Sequence, residues 1–432
     1  MHRIKINEDE VSMKVLAIGH FLWFGGAQTS ILEFFNEIKN DLKSYDIELK
    51  IVICKGSNDA IVSKLSSMYI EYYEVPCHTI MGYPILEVHE LSKTLIEWAD
   101  IVWITDVEYL ASLQIKKIIK NVPIVGHIHS YALICPWWGA LYGFREPCLE
   151  KCSAWKITRC KQGINLELAK IGLLSSARAR LYWLLDFVKG PLDFFKWSRV
   201  MNNVAESIDG FIAVSKALWE IHVRHLLSLS SKPFSIIYNL VTEPLKYIKP
   251  NPHEPYSDYI LYASGSNPVK GPHLLLEAWQ EVSKEFKDLK LYMVGCKDTW
   301  VERKVRQMNL RNVEFMERLP PDRRYYYLMY KAKAVVMPSL VPEAFGRIPV
   351  EANRLGVPAI VTNRGALPEI IEDSITGVVA EASSSNLADA IARVVSRDWN
   401  RVKIVENTWK KINPYNIISK MLDFFEMVSS KM

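Results

Sequence analysis

Two glutamates eight positions apart, Glu343 and Glu351, stand in PSLVPEAFGRIPVEANRLGVPAIVT, a run that reads strand, loop, helix, turn, strand. The helix begins near Gly346. Its first turn offers unpaired N–H groups and a positive dipole end, which suit a pyrophosphate, and a glycine there lets the ligand approach the backbone. Beside that anion site Glu343 can accept hydrogen bonds from sugar hydroxyls, while Glu351, two turns on, can hold a ribose diol. Taken alone, the pair reads more simply as a solvated loop charge and an ordinary helix residue. Lys270, in ASGSNPVKG, carries a compact ammonium on a long stem that suits phosphates; its plainer reading is a surface lysine opening a helix. Gly25 and Gly26, in FLWFGGAQTS, allow a backbone to approach a ligand, or simply make a tight turn. His127 and His129, in VGHIHSYALICP, end a strand with both rings on one side, a place where a histidine is often structural.

Elements of α/β type must position these groups. VLAIGHF, IELKIVIC, ADIVWIT and VPIVGHIHS alternate with helical patterns such as GAQTSILEFFNEIKN, and a second series (YILYASG, LKLYMVG, NVEFM, AVVMPS, PAIVT) begins after Pro244. The rhythm predicts two Rossmann-like lobes with the active site in the cleft between them. In GPHLLLEAWQEVSKEF, Leu274, Leu275, Ala278, Trp279, Val282 and Phe286 share one helical face and read as core. EPLKYIKPNPHEPYSD, with its four prolines, reads as the interlobe linker. The predicted division is a disordered leader over 1–12 or a true start at Met13, an N-terminal lobe over 13–244, a C-terminal lobe over 245–410, and a helix over 411–432 returning to the first lobe. A helical insertion, Cys-rich and then basic and aromatic, occupies about 130–205 of the first lobe.

The pattern PS-x3-E-x-FG-x4-E, then G-x-P, TNRGALPEII and ITGVV, resembles the donor lobe of glycosyltransferase family four. More weakly, the glycine pair, the strand-end histidine, AVSKA, IIYN, the KG pair and the closing helix extend that resemblance over nearly the whole chain. It implies the GT-B architecture and a retaining transfer, of a hexose by expectation, from a UDP-, GDP- or ADP-sugar to a glycan acceptor. It further implies that Glu343, with the backbone of Phe345 and Gly346, binds the transferred sugar, that Glu351 binds the ribose and that Lys270 binds the donor phosphates. Many relatives carry an arginine after the glycine of the Lys270 strand, but Gly265 is followed by Ser266, so Arg347 is the candidate compensating cation. Gly25 and Gly26 would lie near the reacting sugar and acceptor. His129 matches the family's active-site histidine, with Ser130 where an aspartate usually follows. The family is metal-independent, no Asp-x-Asp pair occurs here, and the widely spaced glutamates favour front-face substitution over a nucleophile and acid pair. The competing functions are a sugar-nucleotide-binding protein that has lost transfer, and a sugar-nucleotide epimerase of the same architecture. A dehydrogenase is disfavoured because the first βα turn lacks G-x-G-x-x-G.

With 432 residues, 49% hydrophobic, the chain is long enough for two or three cores, and a formal net charge of +5 is too diffuse to indicate nucleic acid. No apolar stretch of spanning length or secretory signal is readable, so the default location is cytoplasmic. Seven cysteines do not read as a secreted disulfide framework. Four of them, Cys135, Cys148, Cys152 and Cys160, cluster in sequence, open to metal, disulfide or buried-thiol readings. Residues 168–200 mix Trp, Phe and Leu with Lys170, Arg178, Arg180, Lys189, Lys196 and Arg199. That mixture suits a helix pair lying on an anionic membrane and a lipid-linked acceptor, or else an insertion packed on the first lobe with solvated charges.

Overall fold

A computed structural model describes residues 13–22, 25–40, 47–80, 83–91, 93–136 and 139–430; the leader expected over 1–12 lies outside them. Two parallel sheets carry the molecule. The first has seven strands in the order Phe234–Ile236, Gly210–Ala213, Ile124–Ile128, Ile101–Ile104, Met13–Ile18, Ile47–Cys54, Glu71–Val75. The second has six, in the order Val313–Met316, Lys290–Val294, Ser257–Tyr262, Ala332–Met337, Ala359–Thr362, Gly377–Ala380. Central strands are buried along their whole length, as sheets covered on both faces by helices require.

Strand order reverses between Met13–Ile18 and Ile101–Ile104 in one sheet, and between Ser257–Tyr262 and Ala332–Met337 in the other. At such a switch point the connections leave on opposite faces, opening a crevice beyond the carboxyl ends of the strands. Gly25, Gly26 and His129 follow strands at or next to the first crevice, and Lys270 and Glu343 follow the two strands that flank the second.

The core helix Pro272–Glu285 buries Leu274, Leu275, Ala278, Trp279 and Val282. The proline-rich segment after Thr242 is a packed connection, not a loose linker. Its short helix Pro244–Tyr247 stacks Tyr247 on Tyr326 at 5.5 Å, and Glu254 takes hydrogen bonds from Tyr330 and Lys331. Helix Pro414–Ser429 crosses back: Phe425 packs on Trp103 at 5.7 Å, and Lys420 donates to the Ile236 carbonyl. Gly210 makes room for this helix, since a Cβ there would stand 2.8 Å from Val428.

The insertion forms a helical hairpin, Ala154–Lys170 and Ser176–Ser207. Ala179, Asp186, Gly190, Trp197 and Met201 line the inner face of the long helix, whereas Leu181, Leu184, Leu185, Val188, Leu192 and Phe195 are exposed. Both sets follow helical spacing. One stripe packs and the other, also apolar, faces outward. Among the described residues no helix is long and apolar enough to cross a membrane. The cysteines differ from expectation at one place: Cys54, the last residue of its strand, and Cys77, two residues past the neighbouring strand Glu71–Val75, are joined in a disulfide. Their sequence separation of 23 residues conceals a pairing that the parallel register of the strands Ile47–Cys54 and Glu71–Val75 brings about.

Candidate active site

Strand Ala332–Met337 runs into the loop bearing Ser339 and Glu343. The Glu343 carboxylate accepts from Lys270 Nζ at 2.7 and 3.0 Å and from the Ser339 hydroxyl. Two glycines permit this approach. Gly271, at φ +71°, would place a Cβ 1.9 Å from the Pro338 carbonyl oxygen, and Gly365, at φ +58°, would place one 2.2 Å from the Glu343 carbonyl oxygen. Only residues without Cβ let both turns close on the Glu343 loop. Gly346 follows at φ +92° and opens the helix Arg347–Arg354, with Phe345 buried against Tyr238. Glu343, Lys270, Phe345 and Gly346 are thus brought together at the second crevice.

Glu351 is 5% exposed inside that helix, accepting from Arg347 Nε at 2.8 Å and from the Tyr325 hydroxyl at 3.4 Å. Arg347 departs from its expected part. Its guanidinium also donates to both carboxylate oxygens of Glu33, to Ser30 Oγ and to the Leu240 carbonyl. It therefore clasps the two lobes, with buried acids from both as its partners. The carboxylate pair prevails because two buried acids beside one guanidinium offer it fixed bidentate partners.

Burial pushes the Glu351 carboxyl up to about 7, since its one cationic neighbour is shared with Glu33. Between the usual carboxyl range and about 7 the native state therefore holds a proton that the unfolded chain has released, and stability falls as pH rises through that window. Buried His127, His129 and His222 act with the opposite sign: burial holds each below its ordinary value, so their neutral rings cost stability as pH falls below the imidazole range. Glu351→Gln is expected to abolish the loss on raising pH, a slope of at most ~1.4 kcal/mol per pH unit, while leaving the acid-side loss intact. Urea titrations of both proteins between about pH 5 and pH 8 measure it.

Across the cleft, His127 lies in an aromatic core, stacked on Trp103 at 5.8 Å and edge-on to Phe34. His129 packs 4.1 Å from it, at the rim, with neither ring nitrogen partnered. Burial pushes its imidazole down to about 3, so the ring is neutral at working pH, one nitrogen a donor and the other an acceptor. His129→Ala is expected to cut turnover at least ~10-fold with a melting temperature near wild type, whereas His127→Ala is expected to lose about 2–4 kcal/mol of stability through the cavity it leaves. Activity set beside thermal melting for the two variants separates these outcomes.

Several groups here were not legible in sequence. Tyr131, two residues past His129, is 2% exposed, and its phenol is raised by burial and, to a lesser degree, by the charges of Glu343 and Glu369. Glu369, in ALPEII, accepts the backbone N–H groups of Lys216 and Ala217 at the start of helix Lys216–His225 in the other lobe. Beyond Met13–Ile18, the backbone N–H and ring of His20 meet Glu108, and Gln28 reaches Asp106 at 3.5 Å. Burial and the neighbouring Glu108 hold the Asp106 carboxyl well above its usual range. Gly25 and Gly26 stand at the start of the helix Gly26–Asn40, one turn before Gln28. A lone His, Asp or Tyr in these runs carries no spacing signal.

Residues 246–411 match the family model described as "Glycosyl transferases group 1". The match covers the C-terminal lobe and less than half of the chain. Within the matched residues lie Lys270, Glu343, Phe345, Gly346, Arg347 and Glu351. A D-inositol 3-phosphate glycosyltransferase of Corynebacterium urealyticum is 26% identical over 149 residues, 32% of this chain and 35% of that protein. A phosphatidyl-myo-inositol mannosyltransferase of Mycobacterium leprae is 26% identical over 167 residues, 38% of this chain and 44% of that protein. The matched region thus spans well under half the length of these relatives. Anabaena HepE, solved in complex with UDP, superposes with TM-score 0.65 at 16% identity, over 97% of this chain and 100% of its own. Its likeness shows the two-lobed GT-B fold.

Proposed function

We propose that the chain is a retaining glycosyltransferase that moves a hexosyl group from a nucleotide sugar to a lipid-linked glycan acceptor at an anionic membrane surface. The observation that carries this reading is the Lys270–Glu343 pair, set at the switch point beside the Gly346 helix start and opposite Tyr131 and the unpartnered ring of His129. Lys270 and the N–H groups at the start of the helix would hold the diphosphate and stabilise its developing charge. Glu343 would fix the sugar by its hydroxyls, and Glu351 the ribose. The bond from the anomeric carbon to the phosphate oxygen breaks as the acceptor oxygen bonds to the same face, and the acceptor proton passes to the departing phosphate oxygen. No enzyme nucleophile is needed, and the cationic side chain with helix N–H groups can do the work of a divalent ion. UDP is the first nucleotide to test, because HepE was solved with it.

The acceptor side rests on the outward apolar stripe of the helical hairpin, flanked by Arg178, Arg180, Lys189, Lys196 and Arg199. Basic residues beside an apolar face suit the headgroup boundary of an anionic leaflet, which supports a reading of work at the cytoplasmic face. The mannosyltransferase of M. leprae is named for a lipid, phosphatidyl-myo-inositol. Screening UDP-, GDP- and ADP-sugars for thermal stabilisation, then assaying the stabilising donor with glycolipid extracts, tests the reading. A donor that stabilises and is consumed only when acceptor is present supports transfer. Conversion without acceptor would indicate an epimerase, and binding without conversion an inactive sugar-nucleotide binder.

A further inference from the structure

The four cysteines of the insertion come from three separate stretches of chain. Cys135 lies at the end of the turn that follows the His129 strand, and Cys148 closes the small hairpin of Leu141–Tyr142 with Glu146–Pro147, its N–H donating to the Ala140 carbonyl at 2.6 Å. Cys152 precedes Ser153, the N-cap of helix Ala154–Lys170, and Cys160 lies in that helix's second turn. Gly143 and Gly163 let the small hairpin sit directly on the helix, since a Cβ on Gly163 would stand 2.9 Å from Gly143 Cα. That contact sets Cys160 Sγ 3.7 Å from the carbonyl oxygen of Leu141, which pairs with Pro147 next to Cys148. The charge on each sulfur acts on every other: Cys152 senses Cys148, Cys135 and Cys160, Cys160 senses Cys135 and Cys148, and Cys148 senses Cys135. All six pairs are in electrostatic reach, and none of the four is in a disulfide.

We propose that Cys135, Cys148, Cys152 and Cys160 form a structural tetrathiolate zinc site that pins the root of the helical hairpin to the segment carrying His129. Four thiolates converging from a turn, a β-hairpin and a helix start can complete a tetrahedron with no open position, the mark of a structural site. Their surroundings suit thiolate ligands. The Gly143 N–H donates to Cys160 Sγ at 3.3 Å, and the Lys156 ammonium, 3.2 Å from the Glu150 carbonyl oxygen that the Cys148 thiol also faces, would offset the net charge of a tetrathiolate zinc centre. His225 does not compete as a ligand through Nε2, which is held 2.8 Å from the Cys148 carbonyl oxygen and braces the ligand's own backbone.

Four thiolates drawn together repel one another unless a cation lies between them. A divalent ion inverts that repulsion, and each thiol releases its proton to solvent as its sulfur takes the metal. No three of the sulfurs stand within 4.8 Å of one another here. Rotating a cysteine from one staggered χ1 well to the next moves its sulfur by about 3 Å, the adjustment by which the sulfurs would close on the ion. Soft sulfur donors select zinc over magnesium or calcium. The consequence is positional: the ion would tie the outward apolar stripe to the acceptor side of the cleft.

Elemental analysis of the full-length protein, purified under reducing conditions without chelator, tests the site. The expected result is roughly one zinc per chain, with X-ray absorption showing only sulfur neighbours at about 2.3 Å. Cys148→Ser with Cys152→Ser is expected to lower bound zinc at least tenfold, while Cys296→Ser, outside the cluster, keeps it. Should the double variant fail to fold, mercurial titration of the wild-type protein keeps the test open: zinc release in step with modification of four thiols supports the site. Metal-free protein with four reactive thiols, protein with two disulfides among these residues, or a coloured iron–sulfur chromophore would each overturn it.

Discussion

Glu343→Gln is expected to lower kcat about 10²-fold while donor affinity holds or tightens. The change removes a carboxylate whose charge-assisted hydrogen bonds would position the reacting sugar, an effect on the order of 2–3 kcal/mol when felt in the transition state. It also frees Lys270, whose ammonium is bound 2.7 Å from the lost charge, for the donor phosphates. Those two consequences pull kcat and Kd in different directions, a split that a merely structural glutamate would not produce. Lys270→Met should do the reverse and worse. It strips the phosphates of their counter-charge and leaves Glu343, 8% exposed, without its cation, so donor affinity should fall at least tenfold together with turnover. Isothermal titration with the donor and single-turnover rates at saturating donor measure both. Wild-type kinetics for Glu343→Gln would remove Glu343 from the donor site.

The second large effect is expected at the membrane. Leu184, Val188, Leu192 and Phe195 are 61%, 68%, 57% and 64% exposed on one face of the long helix, so changing all four to Gln costs the fold little. Each apolar side chain inserted at the headgroup boundary contributes on the order of 1 kcal/mol, so the quadruple variant should lose more than about 10²-fold in partitioning onto anionic vesicles. Activity toward a water-soluble acceptor analogue should persist, because the cleft is untouched. Flotation at low and high salt distinguishes the apolar from the basic contribution. Wild-type protein that ignores anionic vesicles at low salt would refute the surface, leaving the donor-site reading in place.

The parallel strands were legible because a sheet covered on both faces writes itself as short continuous apolar runs, as in Ile101–Ile104, and those runs recur at βαβ spacing. Lys270, Glu343 and Gly346 could be singled out as a candidate site, mainly through the family resemblance, for a related reason. An anion site at a strand-to-helix turn needs a glycine and a charge at fixed local offsets, and local offsets survive in sequence. What depended on contact between distant segments was not. Arg347 and Glu351 are four apart and could be paired on paper, yet Glu33, over three hundred residues away, decides where the guanidinium goes. Tyr131 and Glu369 belong to different lobes, and Cys54 meets Cys77 only because the strand Ile47–Cys54 lies beside Glu71–Val75, which ends two residues before Cys77. The insertion shows the limit most plainly. Its helical period revealed that apolar residues share a face but not whether that face is covered, because exposure is a property of what the rest of the chain packs against.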